Sequence, residues 1–276
     1  MPSTLLGYIK VNSPIHELTG ATKLICLILY SFAAMLTYDT RVLFGLLIFG
    51  LICFRISHIP FKDVAFVAYF ILAFLLMNTI AIFIFSPYQG CEIYGSTTVV
   101  FNIIGHYSVT LEELFYLLNV ILKYLSVIPI ALLFIIATNP SEFAASLNRI
   151  GVSYKLSYSV AIALRYIPDI QRDYQEISFA QQARGLDFSK NEKLFTRLKN
   201  MTSILMPLIF TSLERIETIS RAMELRSFGI QKKRTWYSAR PFKKIDYLAI
   251  LCVLILLFIS LYMTIRNGSR FFNPFI

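Results

Sequence analysis

Two segments of the sequence end a long amphipathic stretch with an arginine that is followed by glycine. The first is Gln181-Gln182-Ala183-Arg184-Gly185, and the second is Ala222-Met223-Glu224-Leu225-Arg226-Ser227-Phe228-Gly229. One interpretation is structural, because a cation offsets the negative end of a helix and glycine accepts the left-handed turn that ends it. The other is that both ends dock on a partner protein, whose carboxylates pair with the guanidinium groups. The duplication, about 42 residues apart, suits a partner with two equivalent surfaces.

Two long amphipathic helices are predicted to position these arginines. Apolar residues recur every three or four positions over residues 154–184, and again from about residue 191 to 226. Pro168 and Pro207 fall inside the two stretches and are predicted to act as structural hinges. At ~1.5 Å per residue the second helix would be roughly 50 Å long, which is longer than a bilayer is thick. Because both helices are too amphipathic to cross a membrane, they are expected to form an arm beside a membrane domain.

The composition places the rest of the chain in a membrane. Of 276 residues, 57% are hydrophobic and 15% are charged, and the mean hydropathy is +0.64. An average soluble domain has about 45–50% apolar and about 25% charged residues. These values exclude a soluble enzyme, a disordered tail and a secreted disulfide scaffold. The fold class predicted is an all-α, polytopic membrane protein with about five transmembrane helices and a cytoplasmic arm of two long, Pro-kinked amphipathic helices.

Apolar stretches near the ~20 residues that a spanning helix needs locate the spans. They are predicted at about 24–38, 42–54, 64–85 and 115–137, with a final span and tail within 245–276. The first two form a hairpin of short helices, because one long helix would bury Asp39 and Arg41 at mid-membrane.

The charge distribution orients the chain. Residues 138–244 hold 18 of the 26 Lys and Arg residues and nine of the 16 acidic ones, whereas residues 86–111 hold no Lys or Arg. Cytoplasmic loops are enriched in Lys and Arg, so 138–244 is predicted to be a cytoplasmic coupling domain and 86–111 an external loop. Residues 1–137 are then a transmembrane domain with a cytoplasmic N-terminus. The side of the C-terminus stays open, because Arg266 and Arg270 oppose an external placement.

Two segments, Ala183-Arg184-Gly185 and residues 222–227, also carry a resemblance to a known family. They are similar to the paired Ala-Arg-Gly signatures of the transmembrane T component of energy-coupling-factor importers, or EcfT/CbiQ. Further matches, in the family's order, are Ser13-Pro14-Ile15-His16-Glu17-Leu18 with Thr22-Lys23-Leu24, Thr138-Asn139-Pro140 with Ala144 and Leu147, and Leu164-Arg165-Tyr166-Ile167-Pro168. Together they cover about residues 12–236. In the second signature Leu225 and Ser227 replace Ala and Gly, so the turn there must use Gly229 or accept Ser227.

The resemblance implies a non-catalytic scaffold of an ABC-type importer in a bacterial cell membrane. Two ABC-type ATPases would bind the coupling helices, and a small S component that captures a vitamin or metal ion would bind the membrane part. The implied ATPase-binding residues are Ala183, Arg184, Gly185, Ala222, Glu224, Arg226, Ser227 and Gly229. ATP and Mg would belong to the partner ATPases, since the sequence contains no G-x-x-x-x-G-K-[ST] motif. No cofactor, metal site, catalytic residue or nucleic-acid partner is expected for this chain. Its substrate stays unnamed, because selectivity belongs to the S component.

Three other functional classes compete with this interpretation. A membrane-embedded enzyme would need paired carboxylates or a nucleophile with its base inside the spans, where Lys123 is the one charge. A stand-alone secondary transporter or channel would show broken, polar helices in two corresponding halves. A conventional ABC permease usually has one short coupling segment and not two long helices. The role of Lys123 is open between a functional intramembrane charge and a residue that satisfies local carbonyls or Asn119.

Overall fold

The computed structural model describes residues 11, 13–104, 107–186, 194–231, 235–237 and 239–275. These residues form two compact units. The first, which we call the membrane unit, comprises residues 1–142 and 240–276, and the second, the arm unit, comprises residues 143–239. In chain order the elements are α1 (Pro14–Glu17), α2 (Gly20–Leu36), α3 (Thr40–Ile56), α4 (Phe61–Phe85), α5 (Gln89–Tyr94), β1 (Val99–Ile104), β2 (Tyr107–Thr110), α6 (Leu111–Ala137), α7 (Pro140–Arg149), α8 (Tyr154–Ala183), α9 (Leu194–Leu225) and α10 (Lys244–Arg266).

The prediction of an all-α polytopic membrane protein is confirmed. Among the described residues, three helices are long and apolar enough to cross a membrane, namely Val64–Phe85, Leu111–Ala137 and Lys244–Arg266. Only 11% of the apolar window of α4 and of α10 is buried, whereas 44% of that of α6 is buried. A helix that is apolar all round and exposed needs a lipid or protein neighbour.

The other two predicted spans fall on α2 and α3, which have 17 residues each. Such a helix is about 25 Å long, at the lower end of what a bilayer core requires. Thr37, Tyr38 and Asp39 separate the two helices, and the Asp39 carboxylate accepts a hydrogen bond from the Arg41 N–H at 3.0 Å. The chain therefore forms two helices in this stretch and not one.

Helix α6 is the centre of the membrane unit and packs against α2, α3, α4 and α5. The Tyr30 hydroxyl of α2 donates to the carbonyl oxygen of Leu46 in α3, and it lies 3.2 Å from the carbonyl oxygen of Ser126 in α6. A Cβ added at Gly50 would lie 3.2 Å from that hydroxyl and 3.3 Å from the Ser126 carbonyl oxygen. Close approach at a small residue together with a buried hydrogen bond is the usual way in which membrane helices associate.

The predicted external loop, residues 86–111, contains α5 and an antiparallel β1–β2 hairpin. Helix α6 also begins at Leu111, four residues before the predicted span, because the Thr110 hydroxyl accepts a hydrogen bond from the Glu113 N–H. The fully buried carboxylate of Glu112 accepts from the Thr98 N–H at 3.0 Å, and that of Glu113 accepts from the Gly90 N–H at 2.7 Å. Two acidic side chains of α6 therefore hold this segment onto the helix bundle.

Candidate partner-docking site

The two long helices of the arm unit pack against each other in antiparallel fashion. Near the C-terminal end of α8, the Gln181 side chain donates to the carbonyl oxygen of Ser203, which lies early in α9, at 3.2 Å. Further back along α8, Asp173 forms an ion pair with Arg215 at 2.7 Å. At the start of α8, the Tyr158 ring lies 4.7 Å from the ring of Phe228, which follows α9.

The antiparallel pairing places the two arginines at opposite ends of the helix pair. Arg226 lines a recess whose α8 residues run from Tyr158 to Tyr166, so it lies beside the first half of α8. Arg184 lies 18 to 26 residues further along that helix, which corresponds to roughly 27–39 Å at 1.5 Å per residue. The two predicted site segments are therefore not brought together; they form two separate surfaces at the two poles of the arm unit.

The first surface is the C-terminal turn of α8. The Leu186 N–H donates to the Gln181 carbonyl at 3.2 Å and the Gly185 N–H donates to the Gln182 carbonyl at 2.9 Å, which is a Schellman motif. Gly185 has a φ of +88°, a value that glycine adopts without steric cost. Ala183, Arg184 and Gly185 are all exposed. The turn thus satisfies the helix carbonyls through the backbone and presents the Arg184 side chain to solvent.

The second surface is the C-terminal turn of α9, which is a Schellman motif of the same type. The Phe228 N–H donates to the Met223 carbonyl at 3.0 Å and the Ser227 N–H donates to the Glu224 carbonyl at 2.9 Å. Ser227 has a φ of +56° and takes the position that Gly185 has in the first turn, while Gly229, at +89°, makes a second left-handed turn. Of the two arrangements left open by the sequence, the structure has Ser227 accepting the first turn.

The hydrogen bonds of the two turns show which residue of the first surface corresponds to which residue of the second. Arg184 corresponds to Arg226 and Ala183 to Leu225. Ala222 lies one position before Met223, so it corresponds to Ala180 and not to Ala183. Both arginines immediately follow the last helical residue, so the same side chain extends from the same position of each turn.

The second surface rests on an aromatic cluster formed by Tyr154, Tyr158, Phe228 and Trp236. The Phe228 ring lies 5.7 Å from that of Tyr154, which in turn lies 5.4 Å from the ring of Trp236. The Trp236 indole N–H donates to the side-chain oxygen of Asn148 at 3.1 Å. These contacts fix the chain beyond α9 against the start of α8.

A recess of about 230 Å³ lies beside this cluster, and Arg226 and Arg165 both line it. Arg165 was not among the predicted site residues, although it belongs to the Leu164–Pro168 motif quoted above. Two guanidinium groups therefore line one recess, whose other lining residues are apolar or aromatic.

Comparison with known proteins identifies the family. The model of the CbiQ family, described as "Cobalt transport protein", matches residues 11–237. The chain belongs to the CbiQ family. Energy-coupling factor transporter transmembrane proteins EcfT are 26% identical in Leuconostoc gelidum subsp. gasicomitatum (90% of this chain, 92% of the relative), 26% in Staphylococcus aureus (92% and 96%) and 28% in Streptococcus equi subsp. equi (93% and 95%). The resemblance predicted from the motifs is confirmed: the chain is a transmembrane component of an energy-coupling factor transporter.

The hinge residues predicted for this CbiQ-family chain lie well inside their helices. Pro168 is in the middle of α8 and Pro207 is in the first half of α9, and both helices continue through them. A proline removes one backbone hydrogen bond and crowds the preceding turn, so each site is a weak point of the helix. Their action as hinges stays a prediction.

A polar cluster that the sequence interpretation missed lies at the base of the membrane unit, where the chain leaves for the arm unit and returns. We call Lys23, Glu142, Arg240 and Asp246 the base cluster. The Lys23 ammonium donates to the carbonyl oxygens of Ala137, at 2.7 Å, and His16, at 3.2 Å. Glu142 forms an ion pair with Arg240. Lys23 could have indicated this cluster from the sequence, because it is a lysine directly before an apolar run, in a stretch that resembles the family.

Asp246 completes the base cluster by joining the first residues of α2 and α10. Its carboxylate accepts hydrogen bonds from the Thr19 N–H at 2.9 Å and from the Lys243 N–H at 2.7 Å. Asp246 is 1% exposed and Lys23 is 5% exposed, so both hold the ends of helices from within the protein. The start of α2, the end of α6 and the start of α10 are therefore fixed to one another.

Lys123, the charged residue inside α6, interacts with residues at the end of α2. Its ammonium donates to the carbonyl oxygen of Met35 at 3.1 Å and lies 3.7 Å from the centre of the Tyr38 ring. Asn119 instead accepts a hydrogen bond from the Thr40 hydroxyl at 2.7 Å. Of the alternatives considered for Lys123, these contacts favour a residue that satisfies a local carbonyl, because the cation holds the end of α2 against α6.

Proposed function

We propose that this chain is the non-catalytic scaffold that couples two partner ATPases to a small substrate-binding S component. ATP and Mg²⁺ would be bound by the ATPases, and the vitamin or metal ion by the S component. The observation that carries the proposal is the repetition of one exposed arginine turn at both poles of the arm unit. Its supports are the antiparallel pairing of α8 and α9 and the matching hydrogen bonds of the two turns.

Each pole would receive one ATPase. The first docking surface is Ala183, Arg184 and Gly185, and the second is Ala222, Glu224, Arg226, Ser227 and Gly229. A guanidinium at a helix end can form a bidentate pair with a carboxylate, and that pair gives both affinity and orientation. Because roughly 27–39 Å of continuous helix separates the poles, two ATPases that approach each other would push on the arm unit along its length.

Displacement of the arm would reach the membrane unit through two covalent connections, at residues 142–143 and 239–240. Within the membrane unit these connections are tied together by the Glu142–Arg240 ion pair. Pro168 and Pro207 would be the points at which the long helices bend. In the bacterial cell membrane, residues 138–244 would face the cytoplasm, and the exposed apolar faces of α4 and α10 would meet lipid and the S component.

The proposal is tested by charge reversal at each pole. The tagged chain is co-expressed with its ATPases and S component, and the purified complex is analysed for subunit content. We expect Arg184→Glu and Arg226→Glu each to lose ATPase while still inserting into the membrane. Arg172→Glu is the matched control, because its side chain is 75% exposed in the middle of α8.

Wild-type amounts of ATPase on both pole variants would refute the docking sites. Transport by the isolated chain in proteoliposomes, without ATPases, would instead indicate a stand-alone secondary transporter or channel.

A further inference from the structure

The two poles of the arm unit share a backbone turn but present different side chains to a partner. At the first pole the last helical residue is Ala183, preceded by Gln182. At the second pole the corresponding residues are Leu225 and Glu224. Because the two Schellman hydrogen bonds occur at matching positions in both turns, these differences lie at equivalent positions, next to arginines in equivalent positions.

The largest of these differences is in side-chain size, between Ala183 at the first pole and Leu225 at the second. Leu225 is 88% exposed, and the nearby Ile230 is 78% exposed. A single exposed apolar residue on a protein surface needs no explanation. Here, however, it takes the place that the other pole gives to alanine, directly before the arginine that we propose docks an ATPase. A partner that accepts Arg226 must therefore also accommodate the Leu225 side chain, whereas a partner at Arg184 meets only a methyl group.

The residue after the arginine is also larger at the second pole, where Ser227 takes the place of Gly185. Gly185 has no Cβ, and an added Cβ there would meet no atom of this chain within 4 Å, so a partner backbone can approach it closely. Ser227 takes the same left-handed turn with a side chain, at a conformational cost that glycine would avoid. The second pole is thus bulkier on both sides of its arginine.

The second pole is also held in a fixed position. Phe228, which follows Ser227, packs on Tyr154 and Tyr158 at ring distances of 5.7 and 4.7 Å. A backbone that is already ordered adds no ordering cost of its own when a side chain on it binds. Leu225 therefore has the properties of an anchor residue: it is apolar, exposed and preceded by a helix whose end is fixed.

We propose that Leu225 determines which ATPase binds the second pole, by entering an apolar recess that one of the two ATPases has and the other lacks. This inference rests on the proposed function, since it assigns a selectivity to the docking surfaces described there. The ATPase at the first pole has a smaller recess, which fits Ala183 and a close backbone approach at Gly185. The chain thereby fixes the orientation of the ATPase pair and not only its recruitment.

The experiment measures each pole separately by removing the other. Arg184→Glu leaves only the second pole active, and Arg226→Glu leaves only the first. Each ATPase is purified alone, so that one ATPase cannot carry the other into the complex, and its affinity for the full chain in detergent is measured. We expect the two variants to prefer different ATPases.

Leu225→Ala is then added to Arg184→Glu. We expect the affinity of the ATPase preferred by the second pole to fall at least ~10-fold, the scale on which an apolar recess discriminates side-chain size. Leu225→Met should retain most of the affinity. Leu213→Ala, at a leucine that is 54% exposed three turns earlier in α9, is the matched control and should have no effect. Folding of the arm is verified in the Leu225→Ala single variant, whose first pole should still bind its own ATPase at wild-type affinity.

The outcomes separate the two proposals. If both arginine variants bind both ATPases as wild type does, the docking sites themselves are wrong. If the arginine variants each lose one ATPase but Leu225→Ala changes neither affinity nor preference by more than ~2-fold, the docking sites stand and the selectivity of Leu225 is refuted.

Discussion

Replacing Lys23 with methionine tests whether the base cluster holds the membrane unit together. Lys23 is 5% exposed and donates to the carbonyl oxygens of Ala137 at 2.7 Å and His16 at 3.2 Å. Ala137 is the last residue of α6, so its carbonyl has no partner within the helix and needs an external donor. Methionine has a similar length and fills the same space, but it cannot donate a hydrogen bond.

Two opposing effects set the magnitude of this change. Hydrogen bonds to a charged group contribute about 1.5–3 kcal/mol in soluble proteins, whereas hydrogen bonds in a membrane protein average about 0.6 and reach about 1.7 kcal/mol. Removing a buried charge recovers part of its desolvation cost. Because two buried carbonyls lose their donor, we expect the lost hydrogen bonds to outweigh the recovered desolvation free energy, so that Lys23→Met destabilises the protein by about 2 kcal/mol. For a protein of this size that corresponds to a melting temperature lower by about 4–8 °C.

The measurement is the melting temperature of the detergent-purified protein, followed by size-exclusion chromatography after heating. Lys244→Met is the matched control, because Lys244 is exposed at the first residue of α10. We expect that control to stay within about 1 °C of the wild type, as surface substitutions usually do. Equal melting temperatures for Lys23→Met and Lys244→Met would refute the role assigned to Lys23, since two buried carbonyls would then have lost their donor at no cost.

Three further predictions concern helix packing, the connection to the arm unit and the docking turn. Gly50→Leu should destabilise the membrane unit by about 1–3 kcal/mol through overpacking, whereas Gly45→Leu, where no atom lies within 4 Å of an added Cβ, should melt as wild type. Glu142→Lys should lower the melting temperature by a few degrees, and Arg240→Glu in the same chain should restore it; absence of rescue would contradict the ion pair. Gly185 has a φ of +88°, so Gly185→Ala should destabilise the last turn of α8 by about 1 kcal/mol and make its amide hydrogens exchange about fivefold faster. Unchanged exchange rates would contradict the left-handed turn at Gly185.

The sequence predicted well those features that depend on local patterns. Residues 154–184 were expected to form one amphipathic helix, and α8 runs from Tyr154 to Ala183. Its start is set by Ser153, whose hydroxyl accepts from the Leu156 N–H, and its end by Gly185. Periodicity and capping residues lie in one continuous segment, so they can be detected without knowledge of the fold. The start of the second helix, predicted near residue 191, lies outside the described residues.

Features that join distant segments could not be predicted in this way. Thr19 and Asp246 are 227 positions apart, and nothing in either segment specifies the other as its partner. Residues 86–111 were expected to be only a loop, because a short helix and a short hairpin lack a long apolar period. The buried carboxylates of Glu112 and Glu113, which lie just before the predicted span, hold this helix and hairpin in place through contacts with residues 14 to 23 positions away.

The antiparallel pairing of α8 and α9 also explains why one helix-ending motif occurs twice in this chain. Two antiparallel helices are related by an approximate two-fold axis, so their C-termini lie at opposite poles and present equivalent turns. A pair of related subunits arranged around a two-fold axis offers two equivalent receiving surfaces, which is the commonest symmetry of protein assemblies. Such a scaffold with two identical poles could bind the pair in either orientation. Under the proposal made for Leu225, the difference between Ala183 and Leu225, at positions that the fold makes equivalent, would choose one orientation. The symmetry of the backbone would then provide two docking sites, and the side chains would assign a partner to each.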